Sequence, residues 1–481
     1  MKDDDSTVCG EVRSLAGEKT MMRLRRLVSP RRFRLAAWQK NVLAWVVLIA
    51  LTYVAVHCFK HPFFYVWRGV ETPVLLLAAC GGSWFALRAL HGAARWQARL
   101  EAGSRFAVCL LLLCLVVWQE GMFRWQQYQV LQGGVAMERM GRHFVVGFRD
   151  FDELKPLAER GLIGGIYITR RNLAGESVQS LSRRIGTLQE IRRRAGLPPL
   201  FVMADQEGGK VSHLSPLIEP MPALANLLAD GMENLEARAR AQGERQGREL
   251  ANLGINMNLS PVVDLKPEQK SDWADLHTRI ERRAIAADPW IVTRVATAYG
   301  AGLVASGIQP TVKHFPGLGR VRGDTHLVEA SLSTDPVARA ADWLPFREVT
   351  ARTGAAMMLA HVRLPDIDPH ATASTSRALV QGVLRNKEGE GWNYQGILIT
   401  DDLNMGAVYA GGIGRAAAAA LDAGVDLLLV SYDPDQYYRA LHAAAKAWRS
   451  GGIDIGREAE SAKRLDVYWE KSRPAIASTM Q

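Results

Sequence analysis

Gly307-Ile308-Gln309-Pro310-Thr311-Val312, followed at once by Lys313 and His314, is the stretch whose reading decides the fold. It comes after a helical run at 289–306 and reads as a short buried strand with two cationic residues at its C-terminal end. Polar groups at strand C-termini are what an α/β barrel presents at its mouth. The chain then runs through Phe315-Pro316-Gly317-Leu318-Gly319 and four further residues to Asp324-Thr325-His326. A histidine two residues from a carboxylate, on a loop broken by Gly and Pro, is the arrangement of a proton donor, so 313–326 is a candidate acid/base loop. Taken alone, the Lys-His pair also fits a solvated strand end.

Three other strand-like runs end in polar residues. Residues 199–204 are apolar and run into Asp205-Gln206-Glu207-Gly208-Gly209, residues 256–263 alternate and end at Asp264, and the β-branched run 396–400 ends in Asp401-Asp402. A carboxylate after a buried strand is costly unless it faces a cleft or finds a partner. For Asp264 and Asp402 a capping or structural role stands beside a role in a site. Asp401 is sharper because it abuts its strand.

The order of segments sets the architecture. A first strand near 143–148 is followed by 163–168, a helix with apolar residues at helical spacing over 177–195, and the strand at 199–204. Strand and helix keep alternating through 355–361, 396–401 and 426–432, with only helical segments at 435–450 and 457–471 beyond. About eight strands in some 300 residues predict a single (β/α)8 TIM-type barrel. A doubly wound open sheet competes, but site candidates following at least four different strands favour loops gathered at one barrel face.

Four ordered motifs carry a family resemblance: Asp205-Gln206-Glu207-Gly208-Gly209-Lys210-Val211, Asn258-Leu259-Ser260-Pro261-Val262-Val263-Asp264, the 313–326 loop, and Ile399-Thr400-Asp401-Asp402-Leu403-Asn404-Met405. Over roughly residues 138–435 the chain resembles family 3 glycoside hydrolases, in their β-N-acetylglucosaminidase branch. The resemblance implies a retaining exo-β-N-acetylglucosaminidase with Asp401 as the nucleophile, His326 as the general acid/base and Asp324 orienting it. It places Asp205, Arg283, Lys313 and His314 around the terminal sugar, with His213 as a further binding candidate. Retaining glycosidases need a nucleophile on one face of the anomeric carbon and a proton donor for the leaving oxygen. An imidazole, with an unperturbed pKa near ~6.5, can exchange a proton near neutrality without the burial a carboxyl would need.

The chain departs from the family pattern in three places. Gly317-Leu318-Gly319 stands where Gly-His-Gly is usual, Ala284-Ile285 where a Ser and an aromatic follow the arginine, and His213 where an arginine is common. Arg283 also has a salt-bridge reading within the charged run Ile280-Glu281-Arg282-Arg283, and His213 reads equally as an ordinary loop histidine. Two other functions remain open: a phosphorylase on the same substrates, since a histidine repels an incoming anion less than a carboxylate would, and a non-catalytic glycan-binding module. No metal-ligand spacing such as His-Glu-x-x-His or Cys-x-x-Cys occurs, and no cofactor is expected.

The N-terminal third is different in kind. Residues 42–58, 72–87 and 106–118 are apolar runs that predict three membrane spans, so a lipid bilayer is an expected partner. A removable signal peptide is disfavoured by the first run's position some 40 residues in and by the lack of a small-residue cleavage pattern. Residues 1–105 carry 16 Lys and Arg against 7 Asp and Glu, a balance of +9, and the remaining 376 residues only +1. The basic character therefore lies beside the membrane and speaks for no nucleic-acid partner. Arginines before the first span and between the second and third place both segments in the cytoplasm. Three crossings deliver the enzyme domain to the periplasmic or extracellular side of the inner (cytoplasmic) membrane, where peptidoglycan fragments are the implied substrate. All five cysteines (Cys9, Cys58, Cys80, Cys109, Cys114) lie in this third, so the barrel needs no disulfide. The expected division is a basic segment at 1–40, a transmembrane region at 41–122, a linker at 123–137 and the catalytic barrel at 138–475.

Overall fold

The computed structural model describes residues 36–215, 217–267, 279–321, 330–333, 335–409 and 411–479. Asp324 and His326 lie outside the described residues. The chain divides into two compact units, residues 1–59 with 70–116, and residues 60–69 with 117–481.

The described residues of the first unit are mostly helical, with Leu48, Ala55, Leu75, Ala79, Leu112 and Val116 packed in its core. Its outside is apolar too: Val46, Leu77 and Leu111 are exposed. A helix apolar all round, with apolar side chains still outside after packing, has the composition of a membrane span. Among the described residues three helical stretches are long and apolar enough to cross a membrane by length and composition: Trp38–Cys58, Pro62–Gly92, in which the turn Pro62–Trp67 runs on into the helix Arg68–Gly92, and Trp96–Gln132. Each contains one of the apolar runs read from the sequence. The short second and third runs belong to helices of 25 and 37 residues. Residues 123–137, expected as a linker, are helical to Gln132 and again from Val135.

The second unit holds eight parallel strands: β1 Phe144–Val146, β2 Gly165–Tyr167, β3 Phe201–Ala204, β4 Met257–Asn258, β5 Gln309–Phe315, β6 Ala356–Leu359, β7 Leu398–Thr400 and β8 Leu428–Val430. Each pairs with its neighbour in sequence, and β8 pairs with β1, Phe144 opposite Leu428. A parallel bridge between Ile399 and Leu427 joins β7 to β8, which brings the sheet round to a nearly closed barrel. A helix follows every strand, among them Val178–Arg194 after β2, Pro289–Ala305 after β4 and Asp435–Arg449 after β8. The competing open sheet is thereby ruled out.

The strands are buried on both sides, as parallel strands covered by helices must be. Alternate side chains separate into two cores. Val145, Phe201, Met203, Met257, Met358 and Ile399 fill the barrel interior with Leu465 and Trp469 of the last helix. Phe144, Val146, Val202, Val312, Leu359 and Val430 face the helix layer. Phe201 opens β3, so its contact with the Trp469 ring, 4.6 Å between centroids, lies at the N-terminal end of the barrel. The opposite end is left to polar groups.

Local chemistry starts the helices where the pattern predicts. Asp288 caps the helix Pro289–Ala305 by accepting from the backbone N–H groups of Trp290 (2.8 Å) and Ile291 (2.9 Å), with Pro289 at the first helical position. That helix crosses Leu235–Leu253 at Gly243 and Gly302, where a β-carbon on either would meet the other helix's backbone. The close crossing brings the Tyr299 hydroxyl to Gln246 and to Asn258 (3.3 Å) at the end of β4.

Candidate active site

Three strand ends and a short helix supply the candidate groups of the mouth. Asp205 follows β3, Lys313 and His314 lie near the C-terminal end of β5, and Asp401 follows β7. Arg283 comes from the short helix Ile280–Arg283 beyond β4.

A continuous network joins most of these residues. The Lys313 ammonium, 2% exposed, is ion-paired with Asp205 and lies 2.7 Å from Glu207 Oε1. Glu207 in turn accepts both arms of the Arg283 guanidinium, from Nη2 at 2.7 Å and from Nε at 3.0 Å. Such fork-to-carboxylate pairs fix orientation as well as charge. Arg283 Nη2 also lies 3.3 Å from His314 Nε2, while His314 Nδ1 meets Asp264 Oδ2 at 2.7 Å. An Nδ1–H donating to Asp264 leaves Nε2 as the acceptor, the tautomer this network implies.

Burial by itself would push the Asp205 and Glu207 carboxyls up, yet the surrounding cations outweigh it. Lys313 holds Asp205 well below the usual carboxylate range, and Arg283 with Lys313 holds Glu207 low. Burial likewise opposes the charge on Lys313, but Asp205 and Glu207 raise its pKa above the ordinary lysine value. All three are therefore charged at neutral pH and form a rigid cradle of donors and acceptors suited to sugar hydroxyls.

Several parts of this cradle were not singled out from the sequence. The Tyr167 hydroxyl, at the end of β2, donates to Asp205 Oδ2. Glu207, known only as part of a motif, is the carboxylate that joins Lys313 to Arg283. Asn258 clamps the Asp205 loop by donating from Nδ2 to Gln206 O (2.9 Å) and accepting from Gln206 N (3.0 Å). The salt-bridge reading of the arginine has a partner across the mouth: Arg283 is ion-paired with Glu207. Its pKa is raised, against the effect of burial, chiefly by Glu207.

The two open carboxylates become structural. Asp264, fully buried, accepts from the backbone of His314 (3.1 Å) and of Leu318 (2.7 Å) as well as from the imidazole, so it shapes the chain from His314 to Leu318. Leu318, a departure from the family pattern, is buried, and its backbone N–H rather than its side chain makes this contact. Asp402 accepts from Ser431 Oγ (2.6 Å), Tyr432 N (2.9 Å) and Asn404 N (3.0 Å), tying the loop after β7 to the loop after β8. His361, buried after β6, bonds Asp402 O (3.0 Å) and Ser374 Oγ (2.7 Å) and so steadies the same loop. Asp401 is half-buried within this frame; its N–H donates to Leu359 O (2.9 Å) and Oδ1 accepts from Asp402 N (2.8 Å). His213 stands beside the cradle, its Nδ1 3.4 Å from the Tyr167 hydroxyl, and burial lowers its pKa despite the nearby Asp205. Asp324 and His326 fall among the residues not described.

Comparison with known proteins identifies the family of the barrel. The glycosyl hydrolase family 3 N-terminal domain matches residues 135–465. A β-hexosaminidase of Neisseria gonorrhoeae is 34% identical over 298 residues, which cover 60% of this chain and 77% of that protein. One of Xanthomonas campestris is 32% identical over 291 residues, 59% of this chain and 81% of the relative. Among solved structures, a family 3 β-N-acetylglucosaminidase from Paenibacillus superposes with a TM-score of 0.63 at 30% identity, covering 71% of this chain and 63% of that one. The match takes in the whole barrel with its cradle, and the chain therefore belongs to glycosyl hydrolase family 3 and is a glycoside hydrolase.

Proposed function

We propose that the chain is a retaining exo-β-N-acetylglucosaminidase, held in the inner membrane by its N-terminal helices with the barrel on the periplasmic or extracellular side, that removes terminal β-linked N-acetylglucosamine from peptidoglycan fragments. The observation that carries the reading is the position of Asp401: it abuts β7 at the barrel face that also holds the Asp205–Lys313–Glu207–Arg283–His314 cradle. The names of the relatives, β-hexosaminidases and a β-N-acetylglucosaminidase, support the sugar.

In this mechanism the cradle holds the terminal sugar by its hydroxyls. The Asp401 carboxylate attacks the anomeric carbon, forming a glycosyl ester, while His326 gives its proton to the departing oxygen. Water then attacks the same carbon, His326 takes the water's proton, and Asp401 leaves as the carboxylate. Asp324 orients the imidazole and stabilises its charged form.

The membrane part of the proposal is supported by lengths and charge. Among the described residues three helices have the length and composition to cross; arginines 23, 25, 26, 31, 32 and 34 precede the first apolar run, and 88, 95, 99 and 105 lie between the second and third apolar runs, 72–87 and 106–118.

The test is hydrolysis of an aryl β-N-acetylglucosaminide and of the matching β-glucoside by the purified protein, with and without inorganic phosphate. Release from the acetamido sugar alone, without phosphate, is expected. Release that requires phosphate would make the enzyme a phosphorylase, and silence on both would favour a binding module. On the same assay His326→Ala should lose about 10²–10⁴-fold on poor leaving groups and far less on activated aryl ones. Equal losses on both would mean that His326 only binds or supports the fold.

A further inference from the structure

Residues 60–69, where the first apolar helix gives way to the second, are built into the mouth of the barrel. They form a short 3-10 turn, Pro62–Trp67, started by His61, whose Nδ1 accepts from Phe63 N at 3.2 Å. One side of the turn is polar and pinned. Lys60 Nζ is 2.9 Å from Glu120, and its carbonyl accepts from Gln436 Nε2 (2.6 Å) and the Tyr409 hydroxyl (3.2 Å). Arg68 is ion-paired with Asp433 and lies 3.5 Å from Asp435. The Tyr65 ring sits 6.1 Å from that of Tyr432, with the Arg171 guanidinium 5.1 Å from both rings.

The partners of the turn belong to the loops that frame the site. Tyr409 ends the segment that begins at Asp401, and Tyr432 donates its N–H to Asp402. The other side of the turn is apolar and open: Phe63 is 62% exposed, Val66 82% and Trp67 64%. Three large apolar side chains exposed within five residues are unusual on a protein bathed in water. They are expected where a chain meets a bilayer, at whose interface aromatic rings collect. The turn adjoins apolar helices on both sides: Trp38–Cys58 ends just before it, and the helix Arg68–Gly92 follows Trp67 directly.

We propose that the Pro62–Trp67 turn lies in the outer interface of the bilayer and that the enzyme takes its β-N-acetylglucosamine from molecules anchored in that leaflet, rather than from freely diffusing saccharides. This deepens the reading of the chain as a membrane-held hexosaminidase and rests on it. The mouth loops are only one layer of side chains from the turn, so a sugar on a lipid carrier meets the cradle while its tail stays in the membrane. Confinement to the same surface raises the effective concentration of such a substrate.

The experiment uses the full chain in vesicles, with N-acetylglucosamine β-linked to a long-chain lipid in the same bilayer, against the same sugar on a short soluble alkyl chain and on an aryl group. Wild type is expected to prefer the bilayer-held glycoside by about tenfold or more in kcat/KM. The variant Phe63→Ser/Val66→Ser/Trp67→Ser should lose that preference and keep the aryl rate, which also reports that it is folded. Brominated lipids should quench wild-type tryptophan fluorescence more than that of Trp67→Phe. No preference for the bilayer-held sugar, a preference that survives in the triple variant, equal loss on all substrates, or equal quenching overturns the inference while leaving the hexosaminidase standing. Failure to cleave any acetamido substrate sinks the underlying reading and the inference with it.

Discussion

Asp401→Ala is expected to lower turnover of an aryl β-N-acetylglucosaminide by about 10⁴-fold or more, as loss of a covalent nucleophile does. The effect should fall on chemistry rather than folding. Asp401 is half-buried and takes its frame from elsewhere: its N–H from β6 through Leu359 O, and its loop from Asp402, which Ser431 and Tyr432 hold. The thermal midpoint should therefore move little. Wild type treated with a slow fluorinated glycoside should gain the mass of one sugar on the peptide that contains Asp401, and Asp401→Ala should gain none. Wild-type activity in Asp401→Asn, with deamidation excluded by mass, would falsify the assignment.

Lys313→Met should produce the second large loss, in both stability and activity. The lysine is buried between Asp205 and Glu207, and its removal leaves two buried carboxylates with the Arg283 guanidinium as the cation left in the cradle. Removing one partner of a buried charge pair costs about 3–5 kcal/mol. At pH 7 the apparent midpoint of the barrel should fall by roughly 5–10 °C. The pH dependence has a definite sign. In wild type the carboxyls of Asp205 and Glu207 are held below their unfolded values, so their contribution to stability is present above about pH 4 and is lost as the pH falls through their folded values. Without Lys313 those carboxyls lose the ammonium that held them low, and their repulsion is relieved by protonation. The gap between variant and wild type should therefore narrow as pH drops from 7 toward 4, read by thermal melts across that range. A gap that widens with acid would mean the lysine is held by something other than these two carboxylates.

The barrel and the strand-end positions of its polar groups were legible in the order of residues. Short apolar runs ending in Asp205, in Lys313-His314 and in Asp401 say which residues are buried and where the chain turns outward, because periodicity and turn chemistry act over a few neighbours. What each polar group does at its strand end was not legible. Asp264 and Asp402 looked alike as candidates for caps or for a site. Only their partners, His314 at a separation of 50 residues and Ser431 at 29, make them braces. Glu207 became part of the cradle through Arg283, 76 residues away, and Tyr167 through Asp205, 38 residues on. The apolar stretches at 42–58 and 72–87 were plain in the sequence, while the turn between them gave no sign that it would meet Asp433 and Tyr432. Sequence by itself determined which segments are strands, helices and apolar spans, since local burial patterns carry that information. The tertiary structure decided which charges neutralise one another and what borders the mouth, because pairing across a barrel depends on closure of the sheet and not on spacing along the chain.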